Sequence, residues 1–192
     1  MGQVGTSQIL SPSFIQGRTH FAVPGVVVLG TSTGGPKALQ EILPTLPSDL
    51  PVPILVVQHM PKGFTKPLAI RLNGMCRIKI REAEHDDPVE PGCVYIAPAG
   101  QHMTIHRGSL SKVRIRLSTF PERTTHTPSV DVTMLSVAEV FENLAMGIIM
   151  TGMGSDGMLG LRATKDKGRV EMEPAPATAK FAGMPRSAID SG

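Results

Sequence analysis

A short apolar run, Val26-Val27-Val28-Leu29, ends at Gly30 and gives way to Gly34-Gly35-Pro36 and then to Lys37-Ala38-Leu39-Gln40-Glu41-Ile42-Leu43. No other feature constrains the chain as tightly. A β-branched run without polar alternation fits a strand buried on both faces of a parallel sheet. Glycines followed by a proline at a first helical position fit a tight turn that opens a helix. Pro44, Pro47, Pro51 and Pro53 then break that helix before a second apolar run, Ile54-Leu55-Val56-Val57, which reads as the next parallel strand.

The pattern continues along the chain. Thr65 is placed to cap a helix running through Pro67 to Leu72, with Asn73-Gly74 as its stop signal. The middle changes character: Val94, Ile96, Met103, Ile105, Val113, Ile115 and Leu117 alternate with polar residues. This predicts antiparallel strands from about Val94 to Leu117, with a hairpin turn at Arg107-Gly108-Ser109. From Ser129 the helical period returns, with Val130, Met134, Val137, Phe141 and Leu144 on one face. Gly147-Ile148-Ile149-Met150-Thr151 is another buried strand, and Gly152-Met153-Gly154-Ser155-Asp156-Gly157 a second glycine-rich turn before a helix expected to stop at Gly168. Strands alternating with helices make the fold α/β, a mainly parallel, doubly wound, Rossmann-like sheet with an antiparallel hairpin portion. The 192 residues suit one domain. Residues 1 to about 23 look like a leader or linker remnant and 24–192 like the folded domain.

Composition narrows the function classes. The net charge of +3 is spread along the chain, and one Tyr, six Phe and no Trp offer few stacking surfaces for bases, so nucleic acid is not implied. Cys76 and Cys93 lack metal or redox spacing and read as reduced thiols, which suits a cytoplasmic protein. No apolar stretch approaches a membrane span, and no signal peptide opens the chain.

In an open parallel sheet, ligands bind beyond the carboxyl ends of the strands. The residues just after each buried run are therefore the ones to inspect. Gly30-Thr31-Ser32-Thr33-Gly34 is a G-x-S-x-G sequence between a strand and a helix, the context a nucleophile elbow requires. The same turn could instead cap the helix or cradle a phosphate. His59 follows the second strand and has the residue type of a general base, although a lone histidine is commonly structural. Asp156 sits in the turn after the third buried run, where it could orient an imidazole or cap a helix. Ser, His and Asp at three strand ends together favour hydrolase chemistry. A competing set, Ser32 with Asp86 or Asp87 and His126, ranks lower because its members do not follow buried strands. A metal site at His102 and His106 is disfavoured, since residues four apart on a strand are separated by about 13 Å. GTSTGG also departs from the dinucleotide fingerprint.

The segments Val28–Pro36, Gln58–Thr65, Val94–Pro98, Pro128–Asp131 and Thr151–Gly157, with Gly183-Met184-Pro185-Arg186 near the end, together resemble the catalytic domain of the bacterial chemotaxis receptor methylesterase. The resemblance covers nearly all of the chain from about Val26. It implies Ser32 as nucleophile, His59 as base and Asp156 as orienting acid. It also implies Met153 as the residue whose backbone N–H serves the oxyanion, and Thr33 as a hydroxyl neighbour that helps hold the histidine. The family removes methyl esters from glutamates on receptor signalling helices, releasing methanol, and can deamidate receptor glutamines. Neither metal nor organic cofactor is required. The implied partners are the cytoplasmic helices of methyl-accepting chemoreceptors, with no nucleic acid and no membrane insertion. Two other readings stay open, a non-catalytic receptor-binding module and an esterase or amidase of small substrates. The family usually carries a receiver domain that blocks the site until phosphorylated, and only a short leader precedes the domain here. The chain reads Glu171-Met172-Glu173-Pro174-Ala175-Pro176 where the family commonly has a Gln-Asp pair, and it stops at Gly192, before the usual closing helix.

Overall fold

A computed structural model describes residues 23–109 and 112–167. The leader before Val23, the helix stop at Gly168, the Glu171–Pro176 segment and the Gly183–Arg186 motif lie outside the described residues. The elements run β1 (Val26–Thr31), α1 (Gly35–Ile42), β2 (Ile54–Gln58), α2 (Thr65–Asn73), β3 (Lys79–Glu82), β4 (Cys93–Ile96), β5 (His102–Arg107), β6 (Val113–Ser118), α3 (Val130–Phe141), β7 (Ala145–Thr151) and α4 (Met158–Asp166).

Five strands form one parallel sheet in the order β3-β4-β2-β1-β7. Alternate residues of each central strand feed two cores, as the period of two demands. Val27, Leu29, Ile54 and Val56 pack under Leu39 of α1 and Leu68 and Leu72 of α2. On the opposite face Val26, Val28, Leu55 and Val57 meet Val130, Met134 and Val137 of α3, Leu161 of α4 and Met103, Ile105 and Ile115 of the β5–β6 hairpin. Both faces are therefore covered, which explains why these strands are continuous apolar runs.

Three local expectations are corrected. The antiparallel portion is only β5 with β6; Val94 and Ile96 belong to β4, which runs parallel between β2 and β3. Their alternation with Tyr95 did not mark a half-exposed strand, because Tyr95 is itself fully buried and hydrogen-bonds Pro88 O at 2.6 Å. Thr65 does not cap α2: its hydroxyl donates to Glu82 Oε1 at 2.6 Å, and Phe64 occupies the cap position. Leu144 lies beyond α3 in a 3-10 turn and is 40% exposed.

β1 sits between β2 and β7, and the chain leaves β1 toward β2 on one side while β7 arrives from the other. That reversal opens a crevice at the carboxyl ends of these three strands.

Candidate active site

The first wall of the crevice is the β1–α1 turn. Gly34 is left-handed (φ 84°), so the backbone can turn sharply into α1 without Cβ strain. Ser32 N donates to Thr151 O at 2.8 Å, and Ser32 O accepts from Gly35 N at 2.8 Å. Its side chain is half-buried, and among the described residues its hydroxyl makes no hydrogen bond. Gly30 is required for a different reason. A Cβ there would lie 2.6 Å from Val130 Cγ1 and 2.7 Å from Ile149 Cδ1, so its absence lets the start of α3 press against the end of β1.

The second wall is the end of β2. Thr31 and Gln58 are register partners, so Ser32 and His59 stand side by side one step beyond them, on strands about 5 Å apart. Gln58 locks the two backbones together. Its amide nitrogen donates to Ser32 O and to His59 O, each at 2.9 Å, and its amide oxygen accepts from Thr31 Oγ1 at 2.8 Å. Gly35 leaves room for this amide, since a Cβ there would fall 1.9 Å from Gln58 Oε1.

The third wall is the β7–α4 turn carrying Asp156. Its Oδ2 meets His59 Nε2 at 2.8 Å and accepts from Val130 N at 2.8 Å, while its Oδ1 accepts from Ser129 Oγ at 2.8 Å and Asp131 N at 3.0 Å. Both the His59 and Asp156 side chains are almost enclosed, at 7% and 8% exposure. Burial alone would raise the Asp156 pKa, but the His59 bond, then the Asp131 and Val130 amides and the Ser129 hydroxyl, outweigh it and take the pKa down to about 2. A carboxylate ionised at neutral pH at Nε2 fixes the neutral imidazole as its Nε2–H tautomer. The lone pair is then on Nδ1, which is buried and unpartnered among the described residues.

The structure thus brings His59 to Asp156 and places Ser32 beside His59 without a Ser32–His59 hydrogen bond. Thr33 is exposed, and its carbonyl accepts from Thr151 Oγ1 at 3.1 Å. Met153 is 64% exposed; among the described residues the N–H groups of Thr33 and Met153 make no hydrogen bond. The competing acids are used elsewhere, Asp87 on Arg81 Nη1 at 2.8 Å and Asp86 on Arg114 Nη1 at 3.3 Å. His126, by contrast, lies against the site, with its ring stacked on His59. His102 is a buttress: its Nδ1 accepts from Ser129 N at 3.2 Å and its Nε2 meets Pro121 O at 3.2 Å.

Sequence reasoning missed the α3 N-terminus as the cradle of Asp156. The signal was present in Ser129, an N-cap whose hydroxyl accepts from Val132 N at 3.3 Å. That hydroxyl also donates its proton to Asp156, and the backbone N–H groups and positive end of the helix dipole suit the carboxylate.

Similarity to known proteins bears on this arrangement. The model of the CheB methylesterase family matches residues 27–192. A protein-glutamate methylesterase/protein-glutamine glutaminase of Desulfitobacterium hafniense is 47% identical over 168 residues, covering 87% of this chain and 43% of the relative. One of Archaeoglobus fulgidus is 45% identical over 166 residues, covering 86% of this chain and 47% of the relative. The chain therefore spans about half the length of these relatives. The crystal structure of the Thermotoga maritima CheB methylesterase catalytic domain superposes with a TM-score of 0.84 at 40% identity, covering 89% of this chain and 90% of that one.

Proposed function

The chain belongs to the CheB methylesterase family, and from that premise we propose that residues 24–192 form a serine hydrolase domain that removes methyl esters from receptor glutamates in the cytoplasm. The observation that carries this reading is the buried Nδ1 of His59, unbonded among the described residues, on the residue that follows Gln58 just as Ser32 follows its register partner Thr31, with Nε2 tied to an ionised Asp156.

In this reading Ser32 Oγ attacks the γ-carbonyl carbon of the ester, and its proton passes to His59 Nδ1. The carbonyl π pair moves to oxygen, where the N–H groups of Thr33, the residue after the nucleophile, and of Met153, both unbonded among the described residues, receive it. Thr33 is exposed, and among the described residues its hydroxyl makes no hydrogen bond to His59. Collapse breaks the carbon–methoxide bond, and methanol leaves with the proton from His59. Water then repeats the sequence on the acyl-enzyme and releases free glutamate. A glutamine side chain would follow the same route with ammonia as the leaving group, which accords with the glutaminase half of the relatives' names. An open cleft of about 400 Å³, lined in part by Met60, Lys62, Glu122 and Thr127, adjoins His59 and His126 along the chain and suits a helical partner better than an enclosed pocket would.

The test is methanol release from a methylated chemoreceptor fragment, together with mass spectrometry after a serine-directed phosphonate. Turnover with a single adduct on Ser32 is expected. Complex formation without turnover, or unchanged turnover in Ser32→Ala, overturns the reading.

A further inference from the structure

We propose that His126 is a positioning residue for the site: its ring, stacked on the His59 ring, fixes the plane of that imidazole and stabilises the imidazolium formed when Ser32 gives up its proton. The inference rests on the reading of His59 as the base. The two ring centroids are 4.0 Å apart with an interplanar angle of 22°. Among the described residues Asp156 holds His59 by one edge only, at Nε2, and a single edge contact leaves an imidazole free to tilt about that bond. Contact on the face removes this freedom.

The His126 backbone is held firmly enough to serve. Its carbonyl accepts from Thr124 Oγ1 at 2.9 Å, and the next carbonyl, that of Thr127, accepts from Gly100 N at 3.0 Å. Its ring nitrogens make no hydrogen bond among the described residues, so its use is through the ring face. The titratable groups that face it are His59 and Asp156, with His102 reached through the Thr124 hydroxyl. Burial first, then His59, push the His126 pKa below its ordinary value of 6.5, and Asp156 opposes them. At neutral pH the ring is therefore neutral. A neutral aromatic face attracts a cation lying over it, while a protonated one repels it.

The test is kinetic and uses two readouts. Methanol release reads the complete reaction, and the second-order rate of phosphonate labelling at Ser32 reads base-assisted attack without any receptor. If the wild-type protein is labelled but releases no methanol, the substrate reading fails and the labelling series still tests the stack. His126→Ala should lower kcat and the labelling rate about 3- to 30-fold with KM nearly unchanged. His126→Phe, which restores an uncharged face, should recover most of that loss, and His126→Lys should be slower than His126→Phe whether or not the alanine variant folds. The acid limb of kcat should flatten in His126→Phe, because no protonated ring can then form on the face of His59. Wild-type rates in His126→Ala, or a His126→Phe variant no faster than His126→Lys, would overturn the proposal.

Discussion

The two glycine-rich turns that face each other across the crevice solve opposite problems. In the β1–α1 turn the backbone of Ser32 is bonded on both sides, to Thr151 and Gly35, and among the described residues its hydroxyl is left unbonded. In the β7–α4 turn the Asp156 side chain takes four donors, while the turn that carries it contains Gly154 and Gly157 at φ 99° and 100°. A nucleophile must keep its reactive atom available, so rigidity is supplied through the main chain. An orienting acid must not rotate or protonate, so rigidity is supplied through the carboxylate itself. The difference teaches which substitutions separate chemistry from stability.

The largest effects should divide along that line. Ser32→Ala should lower methanol release roughly 10⁴- to 10⁶-fold, yet change the unfolding free energy by no more than about 0.5 kcal/mol, because no side-chain hydrogen bond is lost. Asp156→Asn should cost roughly 10³- to 10⁴-fold in kcat through the wrong imidazole tautomer. It should also cost about 2–4 kcal/mol of stability, because an amide NH₂ would face the Ser129, Val130 or Asp131 donors. Paired kinetics and urea unfolding check both, and equal destabilisation by the two changes would break the comparison. Gly35→Ala addresses the serine turn's main-chain rigidity. Its Cβ would fall 1.9 Å from Gln58 Oε1, so the clamp on Ser32 and His59 must shift, at about 1–3 kcal/mol. A crystal structure of that variant with Gln58 unmoved would contradict this.

The acid side predicts a pH signature. Asp156 is depressed from 3.8 to about 2 in the folded state. A depressed carboxylate stabilises the fold fully above its unfolded pKa, and that stabilisation is lost as pH falls through the folded value. The contribution is about 2 kcal/mol, lost between roughly pH 4 and pH 2. Ser129→Ala removes one of the bonds that favour the ionised form, so the loss should still begin near the unfolded pKa but be smaller and complete at a higher pH. Urea unfolding measured from pH 5 to pH 2 would expose this, and identical profiles for the two proteins would show that Ser129 does not hold the carboxylate.

Much of this was legible in the chain because parallel strands buried on both faces write themselves as unbroken apolar runs. Val26–Leu29, Ile54–Val57 and the run ending at Met150 could be placed, and with them the residues just past their ends. The joining of β1, β2 and β7 as neighbours was not legible, since parallel pairing is set by crossover packing and leaves no local signal. β3 escaped because Lys79-Ile80-Arg81-Glu82 is a short edge strand whose charges mask its single fully buried residue, Ile80. The acid cradle escaped for a related reason: Ser129 announces a helix start, but nothing in its neighbourhood says that a carboxylate 27 positions on will share its hydroxyl.

The smallest expected effect tests the turn that carries the carboxylate. Gly154 lies two residues before Asp156 at φ 99°, and an added Cβ there would meet nothing within 4 Å among the described residues. Gly154→Ala is therefore opposed only by the left-handed backbone, at about 1–2 kcal/mol per residue. If the four bonds to the carboxylate override the turn in positioning Asp156, the variant should keep kcat within about 3-fold while losing about 1 kcal/mol of stability. A large fall in kcat with no loss of stability would mean that the turn's conformation, rather than the cradle at the start of α3, sets where the acid sits. The contrast between a side-chain anchor and a main-chain anchor would then have to be abandoned.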